Sequence, residues 1–161
     1  MDWTTLFSMQ QTLDHHIKTK HRLTDKNLLE ERHLALLVEL GELANETRCF
    51  KFWSTKPASE TAAILEEYVD GIHFILSLGL ESGYSYNKAL EDQINGSLTE
   101  QFNEVFNKCI TFRNDPTQIN YEILFTTYLQ LGVMLGFSEE DIQTAYVKKN
   151  EVNFKRQHQG Y

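Results

Sequence analysis

A chain of 161 residues with 41% apolar content is long enough for one globular core and too apolar to be disordered. Its net charge of −8, with no long basic cluster, argues against non-specific binding to a nucleic-acid duplex and leaves a small phosphate ligand open. Two cysteines, Cys49 and Cys109, with no CxxC, argue against a disulfide framework and a structural zinc site.

The N-terminus, MDWTTLFSMQQTLDHHI, lacks the basic, apolar and cleavage regions of a signal peptide. The longest apolar run, Phe74–Leu80, is far too short to span a bilayer. A soluble, cytoplasmic protein with no membrane partner is expected. No stretch of four or more residues alternates as a half-buried strand does, whereas helical spacing recurs along the chain.

Six helices are expected. The first, Trp3–Lys20, places Leu6, Met9, Leu13 and Ile17 at helical intervals. The second, Leu28–Glu46, is apolar on nearly every side and should be buried, with Glu39, Glu42 and Glu46 as a narrow acidic edge. The third, Ser59–Ser82, follows Pro57 and carries Glu67, Asp70, His73 and Phe74. The fourth starts at Ser97, where Ser97 and Glu100 make a capping box, and Leu98, Phe102, Val105, Phe106, Cys109 and Ile110 recur on it as one face. Pro116 precedes a fifth helix, Gln118–Leu135. Ser138, three residues before Asp141, caps a sixth that runs to about Phe154. With no linker, repeat or low-complexity tract, residues 1–161 read as a single all-α domain, a helical bundle.

Chemistry is concentrated in two acidic pairs. Residues three and four apart share a helix face, so Glu39 lies beside Glu42 and Glu67 beside Asp70, while Glu66 points about 100° away. One Glu-x-x-Glu is ordinarily a solvated edge. Two such pairs, each hemmed by apolar residues, can meet as four carboxylates, and four like charges beside apolar surface need a cation. Oxygen-only donors favour Mg²⁺, with Mn²⁺ as a substitute. A rival metal reading is a di-iron site built from Glu30-x-x-His33 and Asp70-x-x-His73, but two acids on one helix do not fit that pattern. His15, His16, His21 and His158 lack ligand spacing. Lys149, Asn153 and Arg156 follow an i, i+4, i+7 line suited to one ligand, and read equally as a solvated last turn. Phe52 and Trp53, taken by themselves, read as core aromatics.

Glu39-Leu-Gly-Glu42, followed after 24 residues by Glu67-Tyr-Val-Asp70, resembles the E-x-x-E…E-x-x-D signature of all-α nucleoside triphosphate pyrophosphatases, which include MazG-like enzymes and dimeric dUTPases. Four further blocks resemble the dimeric dUTPases. They are QQTLDHHI (Gln10–Ile17), NETRCFKFWS (Asn45–Ser54), DGIHF (Asp70–Phe74) and YVKKNEVNFKRQHQGY (Tyr146–Tyr161). The likeness therefore spans nearly the whole chain. It implies an enzyme that hydrolyses dUTP to dUMP and pyrophosphate, and dUDP to dUMP and phosphate, by attack of water on the β-phosphorus.

By the same resemblance Glu39, Glu42, Glu67 and Asp70 hold Mg²⁺, and Glu42 or Glu39 orients or deprotonates the water. His73 bonds the 3′-hydroxyl of the deoxyribose, and Phe74 leaves no room for a 2′-hydroxyl. Gln11, Asp14 and Asn153 read the uracil edge, and Trp53 covers the base. Lys149, Arg156 and Tyr161 meet phosphates. Relatives often have Asn where this chain has Asp14, and a carboxylate cannot donate unless protonated, so Asp14 departs from the pattern. The resemblance further implies a homodimer. Some phage-borne relatives engage repressor proteins, a further partner class that no motif here tests. The alternatives are a MazG-like or dCTP pyrophosphatase with the same metals and another base, and a non-catalytic helical interaction module whose acids are solvated.

Overall fold

The structure is a computed structural model that describes residues 1–88 and 96–160. Its elements are six α-helices, with no strand among the described residues: α1 Trp3–Lys20, α2 Leu29–Thr47, α3 Thr61–Ser82, α4 Leu98–Asn114, α5 Gln118–Met134 and α6 Glu139–His158. The all-α expectation holds. Side chains close the starts of α1, α4, α5 and α6. Asp2 accepts from Thr5 N–H, Thr117 from Asn120 N–H, and both anticipated capping boxes form, Ser97 with Glu100 and Ser138 with Asp141. The last helix continues four residues beyond Phe154, with Lys155, Arg156 and His158 in its final turn, where cations suit the negative end of the helix dipole.

Helix α3 is central and packs against α1, α2, α5 and α6. Its buried run from Tyr68 to Gly79 explains the apolar character of the segment. Close approach to α5 depends on glycine. Tyr68 and Tyr128 stack 4.9 Å apart, and each hydroxyl donates to the other residue's main-chain carbonyl. A Cβ on Gly71 would lie 2.0 Å from the Tyr128 hydroxyl oxygen, and one on Gly132 would lie 2.3 Å from that of Tyr68. Both glycines are small because a phenol occupies the space a side chain would need.

The expectation for α2 needs correction. Leu36, Leu40 and Leu43 are fully buried, but Leu34 is 63% and Val38 49% exposed. The helix turns one apolar strip inward and leaves another outward, because the described helices cover only part of its circumference. Ile110 of α4, 44% exposed, joins Leu34 and Leu37 around a shallow depression on this face. The aromatic segment after α2 is also outside the core. Phe52 is 93% and Trp53 64% exposed, so neither is a core aromatic.

Candidate functional site

Contact between α2 and α3 brings the acidic pairs together. One carboxylate oxygen from each of Glu39, Glu67 and Asp70 lies within 4.8 Å of the others. Glu42, one turn beyond Glu39, is exposed and outside this tight trio. Its charge still reaches the trio. The Glu39 carboxyl is pushed up to about 7 by burial and by Asp70, Glu42 and Glu67. Burial also raises Glu67, with Asp70 and Glu42 adding to it, and burial raises Asp70.

A lysine answers the cluster from α6. Lys149 Nζ lies 2.6 Å from Asp70 Oδ2 and 2.8 Å from Glu66 Oε1. Burial works against this ammonium, but its hydrogen bonds to Asp70 and Glu66 more than offset that and hold its pKa above the ordinary lysine value. The acids thus form a hard-oxygen set whose like charges are only partly balanced, which fits a divalent cation.

Beside the acids lies a cavity of about 460 Å³. Glu39 and Asp70 line it, together with His73, Phe74, Asn153, Arg156, Lys149 and Asp14. Four helices, α1, α2, α3 and α6, therefore bring eight of the anticipated residues to one cavity. Gln11 and Trp53 are not brought there. Gln11 is exposed on the outer side of α1 and outside the cavity wall. Trp53 sits outside the wall in the segment after α2, edge-on to Phe50 and Phe52. Tyr161 lies outside the described residues.

The inner wall carries a polar network that the sequence did not reveal. Gln10, buried on α1, donates from Nε2 to Asp14 Oδ1 and to Ser77 Oγ, both at 2.9 Å. Its Oε1 accepts from the Tyr146 hydroxyl at 2.7 Å and lies 2.7 Å from His73 Nδ1. The His73 ring stacks on Tyr146, 4.1 Å between centroids. Burial holds its pKa down to about 3, so the imidazole is neutral at physiological pH. Its Nε2 is buried and has no hydrogen-bond partner among the described residues.

Asp14 Oδ2 pairs with Arg32 Nη2 at 3.1 Å, without the alignment of a hydrogen bond. Arg32 Nη1 donates to Glu81 Oε2 and to the Ser77 carbonyl, and Lys18 pairs with Glu81 as well. Burial raises the Asp14 carboxyl, and Arg32, Gln10 and Ser77 oppose it. Gln10, Arg32, Ser77 and Tyr146 are thus site residues that sequence reasoning missed. For Gln10 the available signal was a polar side chain on the buried stripe of α1, in line with Trp3, Leu6 and Leu13.

The di-iron reading does not survive. Glu30 pairs with Arg113, and His33 Nε2 lies 2.7 Å from the main-chain carbonyl oxygen of Cys109, so neither side chain faces the acids of α3.

A family model described as dUTPase matches residues 2–161 of this chain. No curated protein matches it.

Proposed function

The chain belongs to the dUTPase family and is a dUTP diphosphatase, and from that premise we propose a Mg²⁺-dependent reaction at the α2–α3 acids with the nucleotide in the adjoining cavity. The observation that carries the reading is the meeting of Glu39, Glu67 and Asp70 beside a cavity that Glu39, Asp70, Lys149, Asn153 and Arg156 line. When bound, Mg²⁺, or Mn²⁺ in its place, would neutralise phosphate charge and lower the pKa of coordinated water.

The chain's own residues then divide the work. Glu39, Glu67 and Asp70 would hold the cation. Glu42, outside the tight trio, orients the attacking water and accepts its proton, with Glu39 as the second carboxylate in reach of that role. Water attacks the β-phosphorus. The bond from that phosphorus to the α,β-bridging oxygen breaks, and dUMP leaves with that oxygen. Lys149 and Arg156 meet phosphate oxygens through charge-assisted hydrogen bonds. Phe74, in the cavity wall, closes the space a 2′-hydroxyl would need. His73 faces the deoxyribose, and Asp14 and Asn153 face the base.

Gln11, Trp53 and Tyr161 keep their proposed roles, uracil-edge reading, base cover and phosphate contact. For Gln11 and Trp53 a single chain as folded here supplies no contact with the cavity, which supports a homodimer in which a second protomer completes the site. The exposed Leu34, Val38 and Ile110 give that homodimer an apolar face.

Pyrophosphate release from a panel of NTPs and dNTPs, with and without Mg²⁺, tests the reading. Turnover confined to dUTP and dependent on the cation is expected. A preference for dCTP, or turnover unaffected by EDTA, would replace it with another base or another mechanism.

A further inference from the structure

Gln10 stands between two groups whose chemistry fixes its orientation. Asp14, paired with Arg32, is a carboxylate and accepts hydrogen bonds without donating. The amide group facing Asp14 Oδ1 at 2.9 Å must therefore be the NH₂. A flipped amide would set two acceptors against each other there. Ser77 reinforces the orientation by donating its own hydrogen to the same Asp14 oxygen while accepting from Gln10.

The amide oxygen is then turned toward Tyr146 and His73, and it can only accept. The neutral imidazole has one N–H to give, and the 2.7 Å contact with Gln10 Oε1 claims it at Nδ1. Nε2 is left as a bare acceptor, and it is the ring atom with no partner among the described residues. A buried acceptor without a donor is an incomplete site.

We infer that Gln10 is a positioning residue that fixes the Nδ1–H tautomer of His73, so that Nε2 accepts a hydrogen bond from the 3′-hydroxyl of the bound nucleotide. This rests on the reading that His73 faces the deoxyribose. It also gives Asp14 a different part from base reading. Its carboxylate, held by Arg32, orients the amide that orients the imidazole. The site then selects a sugar that can donate at C3′, and a 3′-deoxy or 3′-O-methyl nucleotide leaves Nε2 unpaired.

The test combines spectroscopy with a substrate pair. In ¹⁵N-labelled nucleotide-free protein near neutral pH, long-range ¹H–¹⁵N correlations report each imidazole tautomer, with His73 assigned from a His73→Gln spectrum. The Nδ1–H form is expected, and the Nε2–H form overturns the proposal before any Gln10 variant is made. Gln10→Leu should release the tautomer preference, and Gln10→Glu, which keeps an acceptor toward His73, should retain it. In Gln10→Leu, kcat/KM for dUTP should fall about tenfold, the size of one hydrogen bond, with little change for the 3′-deoxy analogue. Equal losses on both substrates, or an unchanged tautomer in folded Gln10→Leu, overturn the proposal. Wild-type protein inert toward dUTP overturns the functional reading and the proposal together, whereas an active wild type with the Nε2–H tautomer overturns the proposal alone.

Discussion

Glu39 carries the largest electrostatic signature of the acidic cluster, and its pH behaviour follows from that. Its carboxyl is pushed up to about 7 in the folded, metal-free chain, first by burial and then by its acidic neighbours, against an ordinary value of 4.5. Between those values the folded state binds more protons than the unfolded state, so metal-free stability falls as pH rises from about 4.5 to about 7 and then levels. Mg²⁺ should flatten this slope, because the cation replaces the proton as compensation. Thermal melts from pH 4.5 to 8 with EDTA or with Mg²⁺ check it. Glu39→Gln should raise the metal-free Tm at pH 8 and cut turnover by about 10²-fold or more. A Tm unchanged by the substitution would mean that the acids are not crowded in solution. Phe74 is a second residue with a clear test. Phe74→Ala should narrow the ratio of kcat/KM for dUTP over UTP, because a packed aromatic wall resists relaxation around an added hydroxyl. An unchanged ratio would make Phe74 a packing residue alone.

At the level of elements, the site is a junction of α1, α2, α3 and α6, and α6 reaches the acids through Lys149. In the metal-free chain this ammonium already sits on Asp70, so a cation entering the cluster competes with it. Lys149→Met should therefore tighten Mn²⁺ binding in the absence of nucleotide, read by electron paramagnetic resonance. The same variant should weaken binding of a non-hydrolysable dUTP analogue, because a phosphate contact is lost. Weaker Mn²⁺ binding in the variant would show that the lysine does not compete. The α3–α5 contact sets the position of Asp70 from the other side, through Gly71 and the Tyr128 hydroxyl. Gly71→Ala overpacks this contact and should cost about 1–3 kcal/mol, roughly 2–12 °C in Tm. Turnover should fall further than the melting curve alone accounts for, since residue 71 adjoins Asp70, a proposed metal ligand. Activity retained in full at 25 °C would separate the glycine from the site.

For the molecule as a whole, the decisive question is which phosphorus is attacked. With water attacking the β-phosphorus, hydrolysis in ¹⁸O-water should label pyrophosphate and leave dUMP unlabelled. The γ-phosphate is then a handle, so dUDP should also be hydrolysed, with losses mainly in binding. Label in dUMP would mean attack at the α-phosphorus. The apolar face of Leu34, Val38 and Ile110 makes a parallel prediction. Sedimentation should show a homodimer, and Leu34→Glu with Val38→Glu should give monomers with reduced activity if a second protomer completes the site.

The division between sequence and fold can be drawn residue by residue. Helical periodicity and capping signals located all six helices, since the 3.6-residue repeat and the Ser97 and Ser138 boxes are local physics. The i, i+3 spacing placed Glu39 with Glu42 and Glu67 with Asp70 on shared helix faces for the same reason. Local spacing could not say that Glu42 stands apart from the trio, or that Leu34 and Val38 face outward, because which side of α2 is covered depends on where α3 and α4 pack. It also could not find the chain from Arg32 through Asp14 and Gln10 to His73. Those contacts join α1, α2 and α3 across separations of up to 63 residues in the Gln10–His73 bond, and a hydrogen-bond network of that reach exists only once the helices have docked.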